Sequence, residues 1–119
     1  MSLSVYDSMS RRRELFIPHN SADVTMYVCG PTVYDTPHLG NARPAVVFDV
    51  LFRLLRAEYG ESNVRYARNI TDIDDKIIDR AARDGESIGD LTLRTTAEYH
   101  AVVDLLGCLR PTREPRATE

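Results

Sequence analysis

Apolar and polar positions change period several times along the chain, and each change predicts an element. Val24 to Cys29 is a compact run with β-branched and aromatic residues, closed by Gly30-Pro31, and predicts a first strong strand. Beyond His38, the residues Val47, Val50, Leu51, Leu54 and Leu55 recur at steps of three and four. A helix is expected there with that stripe on the core, and with Asp49, Arg53, Arg56 and Glu58 pointing elsewhere. Pro44 suits only a first turn, where no intrahelical N–H bond is required, so the helix is placed from about Asn41 or Ala42 to near Gly60. Asn63 to Ile70 alternates Val64, Tyr66, Arg68 and Ile70 against Arg65, Ala67 and Asn69, which predicts a second strand. Strand, crossover helix and strand make a parallel, right-handed βαβ unit.

The flanks read less regularly. Leu3, Val5 and Tyr6, then Leu15, Phe16 and Ile17, suggest two short strands around the turn Arg11-Arg12-Arg13. That charge run reads first as a solvated turn, with a phosphate-backbone contact as the lesser alternative. After the unit, Thr71-Asp72-Ile73-Asp74-Asp75 closes the second strand, and a short helix with Ile77, Ile78, Ala81 and Ala82 on its apolar side runs to Asp84-Gly85. Ser87 precedes a longer helix carrying Ile88, Leu91, Thr95, Tyr99, Val102, Leu106 and Leu109 at helical steps, stopped by Gly107 and Pro111. Pro115, followed by Arg116 to Glu119, reads as the start of a further helix where the chain stops.

Composition narrows the classes. A chain of 119 residues makes one domain at most, large enough to bury a core. Its formal net charge of −3 argues against wrapping nucleic acid by bulk charge, so any such contact must be local. No apolar run reaches membrane-spanning length and no signal-peptide layout opens the chain, so a cytoplasmic location without a membrane partner is expected. Cys29 and Cys108 are the two cysteines. Usage this sparse fits free thiols, and neither lies in a Cys-x-x-Cys arrangement.

Candidate chemistry gathers in Met26 to Asn41, MYVCGPTVYDTPHLGN. A strand that ends in a thiol, a Gly/Pro loop and a histidine opening a long helix place soft and basic groups beyond the carboxyl end of a parallel strand, where ligands of open α/β sheets bind. Each residue also has an ordinary reading. Cys29 alone could be a small buried hydrophobe, His38 a capping-region histidine, and Gly40 a concession to close packing. Asp72, Asp74 and Asp75 lack the glycine and distal glutamate of a calcium loop and read first as a strand-to-helix turn whose carboxylates complement the helix dipole. His19, His100 and Cys108 offer nothing specific.

Taken together, YVCGPTVYDTPHLGNARPAVVFDVL and YARNITDIDDKI resemble, in order, two signature blocks of the cysteinyl-tRNA synthetases, class I aminoacyl-tRNA synthetases. The closing EPRAT fits as well. The resemblance covers the chain from about Tyr6, and within it HLGN, His38 to Asn41, corresponds to the family's HIGH-type ATP motif, which extends back to Pro31.

The resemblance implies an α/β fold, a partial Rossmann-like (HUP-type) parallel sheet with flanking helices. Residues 1–20 would form an N-terminal extension and residues 21–119 the N-terminal half of the catalytic domain. It implies that Cys29 is one ligand of a substrate-selecting zinc, that Gly30, Thr32 and Thr71 line the amino-acid pocket beside it, and that Pro31, Thr32, His38, Gly40 and Asn41 meet ATP with its Mg2+, with His38 and Asn41 closest to the chemistry. The implied partners are L-cysteine, ATP and tRNA(Cys). The other zinc ligands, the KMSK loop and the anticodon-binding region lie further along in that family, so this chain is expected to bind zinc weakly alone and not to charge tRNA. A related ligase joining cysteine to an amino-sugar in mycothiol synthesis is the second enzyme reading, and a non-catalytic nucleotide- or cysteine-binding remnant the third. Self-association through an exposed sheet edge is also expected.

Overall fold

The computed structural model describes residues 2–119. At its centre, β3 (Val24–Val28) and β4 (Val64–Arg68) run parallel, in register from Val24 opposite Val64 to Val28 opposite Arg68. They are joined by the crossover helix α1 (Leu39–Tyr59), which ends where Gly60 turns to φ 94° and donates its N–H to the carbonyl of Arg56. The α/β architecture and the βαβ unit stand as expected. Ahead of them β1 (Ser4–Asp7) and β2 (Arg12–Leu15) form an antiparallel hairpin whose turn is residues 8–11, so that Arg12 and Arg13, expected in the turn, instead stand in β2 opposite Asp7 and Tyr6. After them come α2 (Asp75–Asp84) and α3 (Ile88–Leu105), N-capped by the side chains of Asp74 and Ser87. None of the described helices is long and apolar enough to cross a membrane.

The alternation in the two central strands works as read: Val24, Val28, Val64 and Tyr66 join Phe52 and Leu55 of α1 in one core cluster. The Phe52 and Tyr66 ring centroids lie 5.1 Å apart. The face of α1 that does this is not the expected one. Ala42, Ala45, Asp49, Phe52 and Leu55 are buried, whereas Val47 and Val50 are about half exposed. Two small alanines let the helix lie close to the sheet end and α3, and Asp49 is drawn inward because its carboxylate accepts the backbone N–H of Leu109 at 2.8 Å and pairs with Arg53 at 2.7 Å. The helix also begins two residues early, at Leu39. Pro44 therefore falls in the second turn, where it withholds the N–H that the Gly40 carbonyl would have accepted.

The expected terminal helix is absent. Residues 113–117 instead run parallel along the free edge of β4: Arg113 donates to Tyr66 and accepts from Arg68, Pro115 accepts from Ile70, and Ala117 donates to Ile70. Pro115 has no N–H for the Arg68 carbonyl, so one rung is lost and the ribbon shows two isolated bridges rather than a continuous strand. Asp72, expected at a helix N-terminus, is buried and fastens this ribbon by accepting from Thr118 N at 3.1 Å and Thr118 Oγ1 at 2.7 Å. Asp72→Ala is expected to cost about 1–3 kcal/mol and to speed amide exchange at Ala117 and Thr118 before that of β3. Equal acceleration everywhere would assign Asp72 a general rather than a local role.

Two smaller clusters complete the interior. Val33, Ala45, Ile70, Tyr99 and Val103 pack where α3 crosses the ends of the strands, and Ile77, Ala81 and Leu91 hold α2 to α3. Ile78 and Ala82, expected on the apolar side of α2, are exposed, because each stands one position round the helix from the buried Ile77–Ala81 stripe.

Candidate active site

The site is built by two chain segments that stay paired after their strands end. Beyond β3 and β4, Thr71 N donates to the Pro31 carbonyl at 3.0 Å and Val33 N to the Thr71 carbonyl at 3.1 Å, with Thr32 opposite Thr71. Gly30 N donates to Asn69 Oδ1 at 2.8 Å, and Asn69 Nδ2 to Thr71 Oγ1 at 3.1 Å. Glycine is obligatory at this closure: a Cβ on Gly30 would sit 1.6 Å from the Asn69 carbonyl oxygen. The Cys29 thiol is left exposed just above, its Sγ making only a 3.6 Å contact with the Gly30 carbonyl.

The second wall is the start of α1. His38 is its N-cap: Nδ1 accepts from Gly40 N at 3.0 Å, and the Asn41 side chain accepts from His38 N at 3.0 Å, a reciprocal capping box. Because Nδ1 is the acceptor, the neutral ring carries its proton on Nε2 and presents a donor away from the helix. Gly40 leaves room for that ring, since a Cβ there would come within 2.7 Å of His38 Cε1. The ordinary reading of His38 as a capping histidine is therefore correct as far as it goes, and the close packing expected at Gly40 is against the His38 ring rather than the sheet.

Between these walls lies a pocket of about 250 Å³. Of the residues singled out in the sequence, Cys29, Gly30, Pro31, Thr32, Gly40 and Asn41 line it together. His38 caps the helix that forms its wall, and Thr71 supports Thr32 from the neighbouring segment without lining the pocket. Sequence reading missed Tyr34, Arg68, Lys76 and Tyr99, which also line it, with Val28, Pro44 and Ala45 filling the rest. For Arg68 the signal was present, a charged residue on the inward side of a strand's alternation. For the others it was not.

Electrostatically the pocket is cationic: Arg68 and Lys76 line it, and no carboxylate does. Arg68 is 2% exposed, bonded through Nη2 to Glu114 at 3.1 Å and stacked 5.1 Å over the Tyr99 ring centroid, while Glu114 also meets His100. Burial works against that charge, but Tyr99 and Glu114 outweigh it and keep the guanidinium protonated. Burial also pushes the Tyr99 phenol up to about 12. A phenol raised above its usual value near 10 stabilises the fold below that pH, and the contribution is lost as pH climbs toward 12. Alkaline unfolding should therefore be less steep in Tyr99→Phe. An unchanged slope would contradict the assignment.

Among the described residues no three His, Cys, Asp or Glu side chains are placed to hold a metal ion. Cys29, exposed and without a strong partner, fits as a single ligand to a soft metal whose other ligands come from elsewhere. Cys108 is different in kind, its thiol pushed up by burial against the α1–α3 packing.

The family model described as the tRNA synthetases class I (C) catalytic domain matches residues 15–119. The chain is 60% identical to a cysteine–tRNA ligase of Rhodopseudomonas palustris strain BisA53 over the whole of this chain and 27% of that relative. It is 58% identical to those of Bradyrhizobium diazoefficiens and Nitrobacter winogradskyi, again over all of this chain and 27% and 26% of theirs. It thus spans about a quarter of the length of these curated relatives. With the match running through both pocket walls and the ribbon that closes the sheet, the chain belongs to the class I, cysteine-type tRNA synthetase catalytic domain family.

Proposed function

We propose that this chain forms the amino-acid and nucleotide corner of a cytoplasmic cysteine–tRNA ligase, which activates L-cysteine with ATP and passes it to tRNA(Cys). The observation that carries the reading is the shared pocket, with the Cys29 thiol on one wall and the capped start of α1 on the other.

Positioning and charge stabilisation are the chemistry such a pocket can offer. The N-terminus of α1, the Nε2–H of His38 and the side-chain amide of Asn41 are donors suited to ATP phosphates, which arrive with Mg2+. Gly30 and Thr32 hold the amino acid beside Cys29, with Thr71 fixing Thr32, while Pro31 belongs with the nucleotide. The substrate carboxylate then attacks the α-phosphorus in line, pyrophosphate leaves, and the aminoacyl group passes to the terminal ribose of the tRNA. No protein nucleophile is needed. Cys29 would hold one coordination position of a zinc ion, which when bound supplies a soft centre that accepts a thiolate far better than a serine hydroxyl.

The test is a fusion of these 119 residues to the remainder of the Rhodopseudomonas palustris relative, assayed for ATP–pyrophosphate exchange. Exchange that requires cysteine and ignores serine is expected. A folded fusion without exchange, beside an active parent, would overturn the reading. For the isolated chain we propose self-association through the unpaired outer edge of β3 and the sheet face bearing Tyr27, which is 67% exposed. Sedimentation giving a monomer at every concentration would contradict that.

A further inference from the structure

Arg68 does more than tie elements together. Register places it opposite Val28 on the covered face of the sheet. Its Cγ would lie 3.2 Å from a Cβ on Gly30, so the aliphatic stem passes directly beneath the residue that follows Cys29. At 2% exposure it lines the pocket, and one edge of the guanidinium is committed: Nη2 bonds Glu114 and the plane lies over Tyr99. Its Nε–H is buried and makes no hydrogen bond among the described residues; the Tyr66 phenol, which feels the guanidinium charge, is likewise left without one. A buried donor of a charged group left without a partner is costly and calls for an explanation. A purely structural strut joining β4 to the 113–117 ribbon would need only the Glu114 bond. It would not need to line a pocket whose two charged residues are both cations.

The two cations occupy different environments. Lys76 is exposed, with its ammonium 5.6 Å from the Tyr34 ring centroid and no carboxylate partner among the described residues. Arg68 is internal, at the strand end under Gly30. A planar guanidinium fork matches a carboxylate, whereas phosphates have the helix start and His38 on the other wall. We propose that Arg68 receives the α-carboxylate of the amino acid bound beside Cys29, so that the pocket recognises a free carboxylate as well as a thiol. This rests on the amino-acid-pocket reading above and adds a specificity-determining residue to it.

A buried arginine Nε–H is observable in a proton–nitrogen correlation spectrum, so the wild-type chain can be tested without substitution. L-Cysteine and 3-mercaptopropionate, which both carry the carboxylate, should shift the Arg68 Nε–H resonance. Cysteamine, which keeps the thiol and amine but lacks the carboxylate, should not. In Arg68→Lys the affinity for L-cysteine should fall roughly tenfold or more, with that for cysteamine unchanged. If L-cysteine moves the amides of Cys29 to Thr32 but leaves Arg68 Nε–H in place, or if cysteamine shifts it equally, this inference fails while the amino-acid pocket stands. If L-cysteine moves no pocket resonance at all, both fail together.

Discussion

Alanine at position 30 is expected to cost at least about 3 kcal/mol and to lower the melting temperature by about 10 °C or more. The reason is not backbone conformation, since Gly30 is absent from the positive-φ glycines, which are Gly60, Gly85 and Gly107. It is space: the new methyl carbon would lie 1.6 Å from the carbonyl oxygen of Asn69 and 2.8 Å from its carbonyl carbon, and neither is a flexible side-chain end that can swing away. The two strand exits must separate. That separation strains the Gly30–Asn69 bond and the Thr71–Pro31 and Val33–Thr71 bonds that continue the pairing. Because the same closure makes one pocket wall, ligand binding should be lost even at temperatures where the variant stays folded. Gly89→Ala is the natural control, as a Cβ there meets nothing nearer than 3.8 Å. Equal melting of Gly30→Ala and wild type in thermal circular dichroism would sink the packing account of this corner.

Cys29→Ser is expected to do the reverse. Cys29 is exposed and its one hydrogen-bonding contact among the described residues is long and weak, so stability should change by no more than about 0.5 kcal/mol. Cysteine-dependent exchange by the fusion should nevertheless fall at least about 100-fold, since loss even of a supporting group around a metal commonly costs 10- to 100-fold. The two substitutions lie on adjacent residues and separate the two roles of the corner, Gly30 as architecture and Cys29 as chemistry. Comparable exchange rates for Cys29→Ser and wild type would remove the thiol from the mechanism.

Sequence patterns gave the βαβ unit because strand alternation and helix caps are local, and β3, β4, α2 and α3 were legible to within a few residues. The phase of α1 was not. Its apolar residues cover most of the circumference, so Val47 and Val50 looked as suited to the core as Ala42 and Ala45. What decided the phase was an acceptor needed by Leu109, 60 positions away, which buried Asp49. The ribbon was misread for a related reason. Pro115 opens helices and also tolerates a sheet edge, and the choice between them depends on a free edge of β4 and on Asp72 waiting for Thr118. Around the pocket, the positions of Cys29, Gly30, Gly40 and Asn41 were legible because strand ends and helix starts leave marks in sequence. Tyr99 and Lys76 reach the pocket from helices whose own patterns say only that they are helical.

The central claim, that the Cys29 thiol and the start of α1 face one shared pocket, is tested most directly by alkylating the fusion with iodoacetamide, with and without ATP and Mg2+, and reading the Cys29 and Cys108 peptides by mass spectrometry. Slower modification of Cys29 in the presence of nucleotide, with the half-buried Cys108 unchanged, is the predicted result. Modification of Cys29 at a rate indifferent to saturating nucleotide would contradict the account.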